Sequence, residues 1–157
     1  MKYIFILLLF IVSCKKPIDS ENDKTKFSGD IDYNVALKFI NDYNKDFFNP
    51  HIKTSEWLSR NKMVTKNLVD RYKQMVDSAE IDDPELGLDF DPIISGQDSD
   101  EQGFEIKEID SLNGYVTVQG KSYSEYKIVL KLIEKNGVTL VEGSGVINIP
   151  KSRQPKY

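Results

Sequence analysis

The residues best suited to chemistry form an acidic loop, in which Asp89 and Asp91 are followed by Gln97 and Asp98. Two aspartates at this spacing resemble the start of a calcium loop. An EF-hand would need an oxygen ligand at position 93 and a glycine at position 94, but both positions are isoleucine. Paired carboxylates also perform acid–base catalysis in glycosidases, and aspartates commonly accept backbone N–H groups in turns. We therefore expect a structural or ligand-binding loop without a metal, and keep acid–base catalysis as the alternative.

A nucleophilic hydrolase site receives little support from the sequence. His51 is the single histidine and lies directly after Pro50, in a segment that we interpret as a loop. A catalytic histidine needs an activated serine or cysteine beside it, and the chain has no G-x-S-x-G elbow. We expect His51 to be a surface residue and assign no catalytic residue.

The N-terminus carries the most specific motif of the chain. An apolar run, Tyr3–Val12, follows Lys2 and precedes Cys14, which is the single cysteine. The run is too short for a bilayer core, which needs about 20 apolar residues, but it has the length and flanks of a signal peptide. Ile11–Cys14 closely resembles a bacterial lipobox, so we predict that residues 1–13 are removed and that Cys14 is lipidated.

This motif predicts a lipid-anchored protein of the bacterial cell envelope, which contacts the membrane through its acyl chains. Lys15, rather than aspartate, follows the cysteine, and by analogy with lipoprotein sorting in enteric bacteria this favours the outer membrane over the inner. Residues 15–30 are polar and charged, a composition that cannot bury enough apolar surface to fold. We interpret residues 14–30 as the lipidated cysteine and a flexible tether.

The remaining chain predicts a single domain over residues 31–150 and a polar tail over 151–157. Apolar residues at helical spacing predict helices over 32–48, 54–59 and 66–79. Thr65 is a suitable N-cap for the last of these. From Phe104 onward the apolar period becomes two, and Asn113–Gly114 and Asn136–Gly137 predict hairpins.

Helices followed by strands predict an α+β domain, in which N-terminal helices pack on a curved four-stranded antiparallel meander. Gly143–Gly145 interrupts the last strand, as expected for a bulge or bend that curves the sheet. The 21 basic and 25 acidic side chains give a net charge of −4, which argues against nucleic acid binding. No cofactor is expected, because the chain has neither a phosphate loop nor a zinc-type cluster.

The segments Asp89–Ile94, Gln97–Asp98 and Gly143–Ile149 together resemble the domain of unknown function 3828 family of bacterial envelope proteins. The resemblance covers roughly residues 33–150. It implies an α+β cone similar to the nuclear transport factor 2-like fold, and placement as an envelope lipoprotein without established activity. Some similar envelope proteins neutralise secreted toxins, so the resemblance also implies a possible protein partner.

The sequence therefore predicts a lipid-anchored binding domain without catalytic activity, for a protein or a small ligand, with an immunity-like inhibitor as one version. The alternative is an envelope hydrolase that uses a carboxylate pair in a cone-shaped pocket. Carboxylates that converge in a deep pocket would favour the hydrolase. Carboxylates that accept hydrogen bonds within turns would favour the binding domain.

Replacing Cys14 by serine tests the anchor. The variant should lose palmitate labelling and leave the membrane fraction, because each buried acyl methylene contributes about 0.8 kcal/mol of membrane affinity. Metabolic labelling and membrane fractionation of both proteins measure this. Equal labelling, or equal membrane retention, would contradict the lipidation of Cys14.

Overall fold

The structure, a computed structural model, describes residues 31–156. Within this range three helices precede a four-stranded antiparallel sheet, which confirms the predicted α+β class. None of the helices in this range is long and apolar enough to cross a membrane. The elements are α1 (Asn34–Phe48), α2 (Thr54–Arg60), α3 (Lys66–Asp82), β1 (Phe104–Asp110), β2 (Tyr115–Gly120), β3 (Lys127–Lys135) and β4 (Val138–Ser144).

The helices follow from their apolar spacing and their boundary residues. On α1, Ala36, Ile40 and Tyr43 recur at intervals of three and four residues and are buried, as an amphipathic helix requires. Thr65 caps α3 as predicted, because its Oγ1 accepts the Leu68 N–H at 3.1 Å. That bond satisfies one of the backbone donors left unpaired in the first turn of a helix.

The sheet is a meander in the order β1-β2-β3-β4, with both predicted Asn-Gly turns in place. Asn136 and Gly137 have φ values of 55° and 79°, the left-handed conformation that a tight hairpin requires. Val116 and Val118 of β2 lie opposite buried residues of β3. This face of the sheet joins the helices in one hydrophobic core.

The C-terminal residues contact the sheet rather than project away from it. The Arg153 guanidinium lies 4.1 Å from the centre of the Tyr115 ring and donates to Asp110 at 2.9 Å. The Gln154 side chain donates to the Ile149 carbonyl at 2.8 Å. Arg153 and Gln154 belong to the segment that the sequence assigns to a polar tail, and they pack on the domain.

β4 ends in the bend that the sequence predicts. Its register with β3 shifts next to Gly143, and Gly145 follows with a φ of 63°. A Cβ atom on Gly145 would lie 2.4 Å from the carbonyl oxygen of Pro92. The absence of a side chain therefore lets the end of β4 pack directly against the acidic loop.

Gly145→Ala should be strongly destabilising, whereas Gly137→Ala should cost only about 1 kcal/mol for its left-handed backbone. Gly137 is a matched control, because it shares the positive φ but a Cβ there would meet nothing within 4 Å. Chemical denaturation of the two variants measures the difference in the free energy of unfolding. Equal losses in both would contradict close packing between Gly145 and the acidic loop.

Candidate functional site

The acidic loop connects α3 to β1 and runs back along α3. The reversal begins at Asp83, whose Oδ1 accepts the Glu85 and Leu86 N–H groups at 3.1 Å each. Gly87 completes it with a φ of 63° and an N–H that donates to the Asp83 carbonyl. Residues 88–91 are thereby directed back along α3.

The centre of this loop is embedded in the core. Ile93 and Ile94 are fully buried, which stabilises the fold by about 1.5–3 kcal/mol for each side chain. Their carbonyl oxygens accept hydrogen bonds from Ser144 Oγ at 2.9 Å and from Tyr126 Oη at 2.8 Å. Hydroxyl donors thus satisfy the backbone groups that the buried loop would otherwise leave unpaired.

Asp91 organises the turn that inserts these two isoleucines. Its Oδ1 accepts the Ile93 N–H at 2.8 Å and the Ile94 N–H at 3.2 Å, and its Oδ2 accepts the Tyr43 hydroxyl of α1. Desolvation by burial raises the pKa of Asp91, although these three hydrogen bonds oppose the increase. The carboxylate therefore joins the loop to α1 across the core.

Tyrosines surround this carboxylate. Burial raises the pKa of Tyr43 far above its ordinary value, and the negative charge of Asp91 adds to the increase. Burial likewise raises the pKa of Tyr72, which a hydrogen bond with Thr54 partly offsets. The Trp57 ring packs edge-on against Tyr43 at 5.3 Å, so a buried aromatic cluster shields Asp91 on this side.

Two polar residues that the sequence analysis missed fix the far end of the loop. Asn44 is only 4% exposed and its Nδ2 donates to the Asp100 carbonyl at 2.8 Å. The Asp100 carboxylate accepts backbone N–H groups of Ser122 at 2.7 Å and Tyr123 at 2.9 Å. Desolvation opposes the ionised form of Asp100, but these bonds hold its pKa below the ordinary value. The sequence offered one indication of this contact, because Asn44 is a polar residue on the otherwise apolar face of α1.

The remaining predicted residues have more exposed positions. Asp89 is exposed, and its backbone carbonyl accepts the Gln97 side-chain amide at 2.9 Å. The exposed Asp98 carboxylate accepts the N–H of its neighbour Ser99 at 2.8 Å. His51 is also exposed, as expected for a surface residue. Cys14, the predicted signal peptide and the tether lie outside the described residues.

An open groove of about 580 Å³ lies between α3 and the acidic loop. Asp89 and Asp91 both line it, whereas Asp98 lines a separate depression. Within residues 31–156 no group of three or more His, Cys, Asp or Glu side chains is placed to hold a metal ion. The apolar walls consist of Phe47, Tyr72, Val76, Leu86, Leu88 and Phe90.

Comparison of the chain with protein-family models, with curated proteins and with solved structures finds no match. The resemblance noted from the sequence stays a prediction. The groove and the residues that build it are therefore the features of this chain that bear on its function.

Asp91→Ala should lower the free energy of unfolding by about 3 kcal/mol, because it leaves two buried N–H groups and a buried hydroxyl without their acceptor. Asp91→Asn should be mild, since an amide oxygen still accepts both N–H groups. Asp98→Ala is the matched control and should cost less than about 1 kcal/mol, because its carboxylate accepts one N–H at the surface. Equal losses in Asp91→Ala and Asp98→Ala would contradict the structural role of Asp91.

The pH dependence of stability provides a second test of Asp91. Its pKa is raised above 3.8 in the folded protein, so protonation favours the folded state. Its contribution to the free energy of unfolding should fall as pH rises from 3.8 through the raised folded pKa. Subtracting the pH profile of Asp91→Asn from that of the unmodified protein isolates this change. A difference that increases with pH would contradict the assignment.

Proposed function

We propose that this chain is a lipid-anchored binding domain of the bacterial cell envelope, and that its binding surface is the groove between α3 and the acidic loop. The observation that carries this proposal is an open groove with both apolar and acidic lining residues, one wall of which is tied to the core. Binding sites are typically concave and apolar, with a few convergent polar groups. Here the exposed carboxylates of Glu80 and Asp89 are such groups.

The anchoring of the loop supports a binding role. Because Ile93 and Ile94 are buried and Asp91 is bonded to Tyr43, the loop wall is ordered before any ligand arrives. Ordering side chains and loops on binding costs affinity, and a preorganised wall avoids much of that cost. A partner that binds the groove would therefore lose less affinity to loop ordering than one that binds a mobile loop.

The position of the groove agrees with an anchor on the N-terminal side. The Asp32 N–H donates to Thr139 Oγ1 at 3.0 Å, which fixes the chain just before α1 begins. The helix then extends by about 22 Å at 1.5 Å per residue and brings Phe47 to the groove. A tether from Cys14 would thus enter at the end of α1 remote from the groove, which leaves the groove open to a partner.

The alternative of an envelope hydrolase is favoured by one observation, the raised pKa of Asp91 in a groove that also contains Asp89. Such a pair could serve as acid and base. Against it, three donors already occupy the Asp91 carboxylate, and the Asp89 carboxylate lies at the surface. These bonds favour a structural role for Asp91, so we place the binding domain first.

Site-directed photo-crosslinking in cells that produce the full chain tests the proposal. A photoreactive amino acid replaces Leu86, which is 66% exposed at the groove, or Leu112, which is 86% exposed on the β1–β2 turn. The Leu86 position should yield a discrete adduct that the Leu112 position does not, because a bound partner contacts the groove. Adducts of equal yield at both positions, or none at Leu86, would contradict a binding role for the groove.

A further inference from the structure

Building on the proposed function, we propose that the groove binds a protein partner through a basic segment that also carries apolar side chains. Two properties of the groove favour such a partner: its acidic lining and its open shape.

The chain that builds the groove is strongly acidic. Between Lys73 and Lys107 there is no basic residue, and the same stretch contains eleven aspartates and glutamates. Since the whole chain has a net charge of only −4, the residues outside this stretch are net positive. Negative charge is therefore concentrated in the C-terminal part of α3 and in the acidic loop, the two segments between which the groove lies. A surface of one sign steers and selects partners of the opposite sign.

The lining of the groove repeats this pattern on a local scale. Glu80, Asp89 and Asp91 contribute carboxylates, and no lysine or arginine is among the lining residues. Asp91 is held by three hydrogen bonds, whereas Glu80 and Asp89 are exposed and able to meet a partner's cations. The apolar walls between these carboxylates would contact the apolar side chains of the partner's basic segment.

The shape of the groove indicates a macromolecular partner. It is open along its length, so it would leave much of a small ligand in solvent. Leu86 on the rim is 66% exposed, and Ile81 at the adjacent end of α3 is 79% exposed. Exposed apolar side chains beside a groove are typical of protein interaction sites. A peptide segment fills the groove and covers these flanking side chains as well.

A peptide crosslinking experiment tests this class of partner. The full chain, with the photoreactive residue at position 86, is reconstituted in neutral phosphatidylcholine vesicles. Four labelled peptides of equal length are added: basic with leucines, acidic with leucines, basic with serines, and uncharged with leucines. Covalent adduct at position 86 reports groove occupancy and ignores peptide bound elsewhere on the vesicle.

The basic peptide with leucines should crosslink at a half-saturating concentration at least about tenfold lower than any other peptide. Raising the salt concentration from about 50 to about 500 mM should increase this half-saturating concentration about tenfold, because salt screens the attraction between opposite charges. Glu80→Gln combined with Asp89→Asn should increase the half-saturating concentration of the basic peptide with leucines about fivefold. The matched control, Glu108→Gln combined with Glu125→Gln, removes two exposed charges outside both the groove and the acidic stretch and should have no effect.

Equal crosslinking of the acidic and basic peptides, no crosslinking of any peptide, or an equal effect of the control pair would overturn this inference. A cellular adduct of twice the chain's mass would show that the groove binds a second copy of this chain, and would overturn the inference of a basic partner. Each of these outcomes is compatible with the proposed binding function, provided that the residue at position 86 still forms a discrete adduct in cells. Loss of that cellular adduct would remove the proposed function itself.

Discussion

The carboxylate of Asp91 is the contact on which the acidic loop and the groove both depend. It closes the turn that inserts Ile93 and Ile94 into the core, and it accepts the hydroxyl of Tyr43 from the opposite layer. The end of β4 then packs on the same turn through Gly145, since the Val146 N–H donates to the Pro92 carbonyl at 3.0 Å. One charged group thus links helix, loop and sheet in a region without regular secondary structure.

Burying this group has a cost that the structure compensates locally. Desolvation raises the pKa of Asp91, and an isolated buried charge would be strongly destabilising. Three donors offset the penalty, and the two adjacent isoleucines contribute favourable apolar burial. The same arrangement favours this loop conformation, because a turn that moved the Asp91 carboxylate would leave both N–H groups and the Tyr43 hydroxyl without this acceptor. A long irregular segment becomes a rigid wall in this way.

That rigidity connects the fold to the proposed role. Asn44 and Asp100 hold the far end of the loop, while Asp83 and Gly87 direct its near end along α3. The segment between these two fixed ends presents Leu86, Leu88 and Phe90 toward α3. The groove, with the carboxylates of Glu80 and Asp89 beside these apolar side chains, follows directly from where the loop is held.

Local sequence patterns specify the helices and strands of this domain, whereas its candidate site depends on contacts between residues distant in the chain. Helical spacing on α1, the Thr65 cap and the Asn136–Gly137 turn were predictable, because each depends on residues within a few positions of one another. The sequence also indicated that Asp89, Asp91 and Asp98 would accept backbone N–H groups in turns, as Asp91 and Asp98 do, but not that Asp91 would also bind Tyr43 across the core. Tyr43 and Asp91 are 48 residues apart, and Asn44 and Asp100 are joined across 56.

Arg153 provides a second example at the C-terminus, because its guanidinium lies over the ring of Tyr115, a residue distant in the sequence. The predicted lipidation of Cys14 is the reverse case, since the prediction depends on a local motif and the described residues do not include Cys14. Local patterns specify elements and processing signals because their interactions are short in sequence. Which carboxylate is buried, and where a groove opens, depends on donors and walls that only folding brings together.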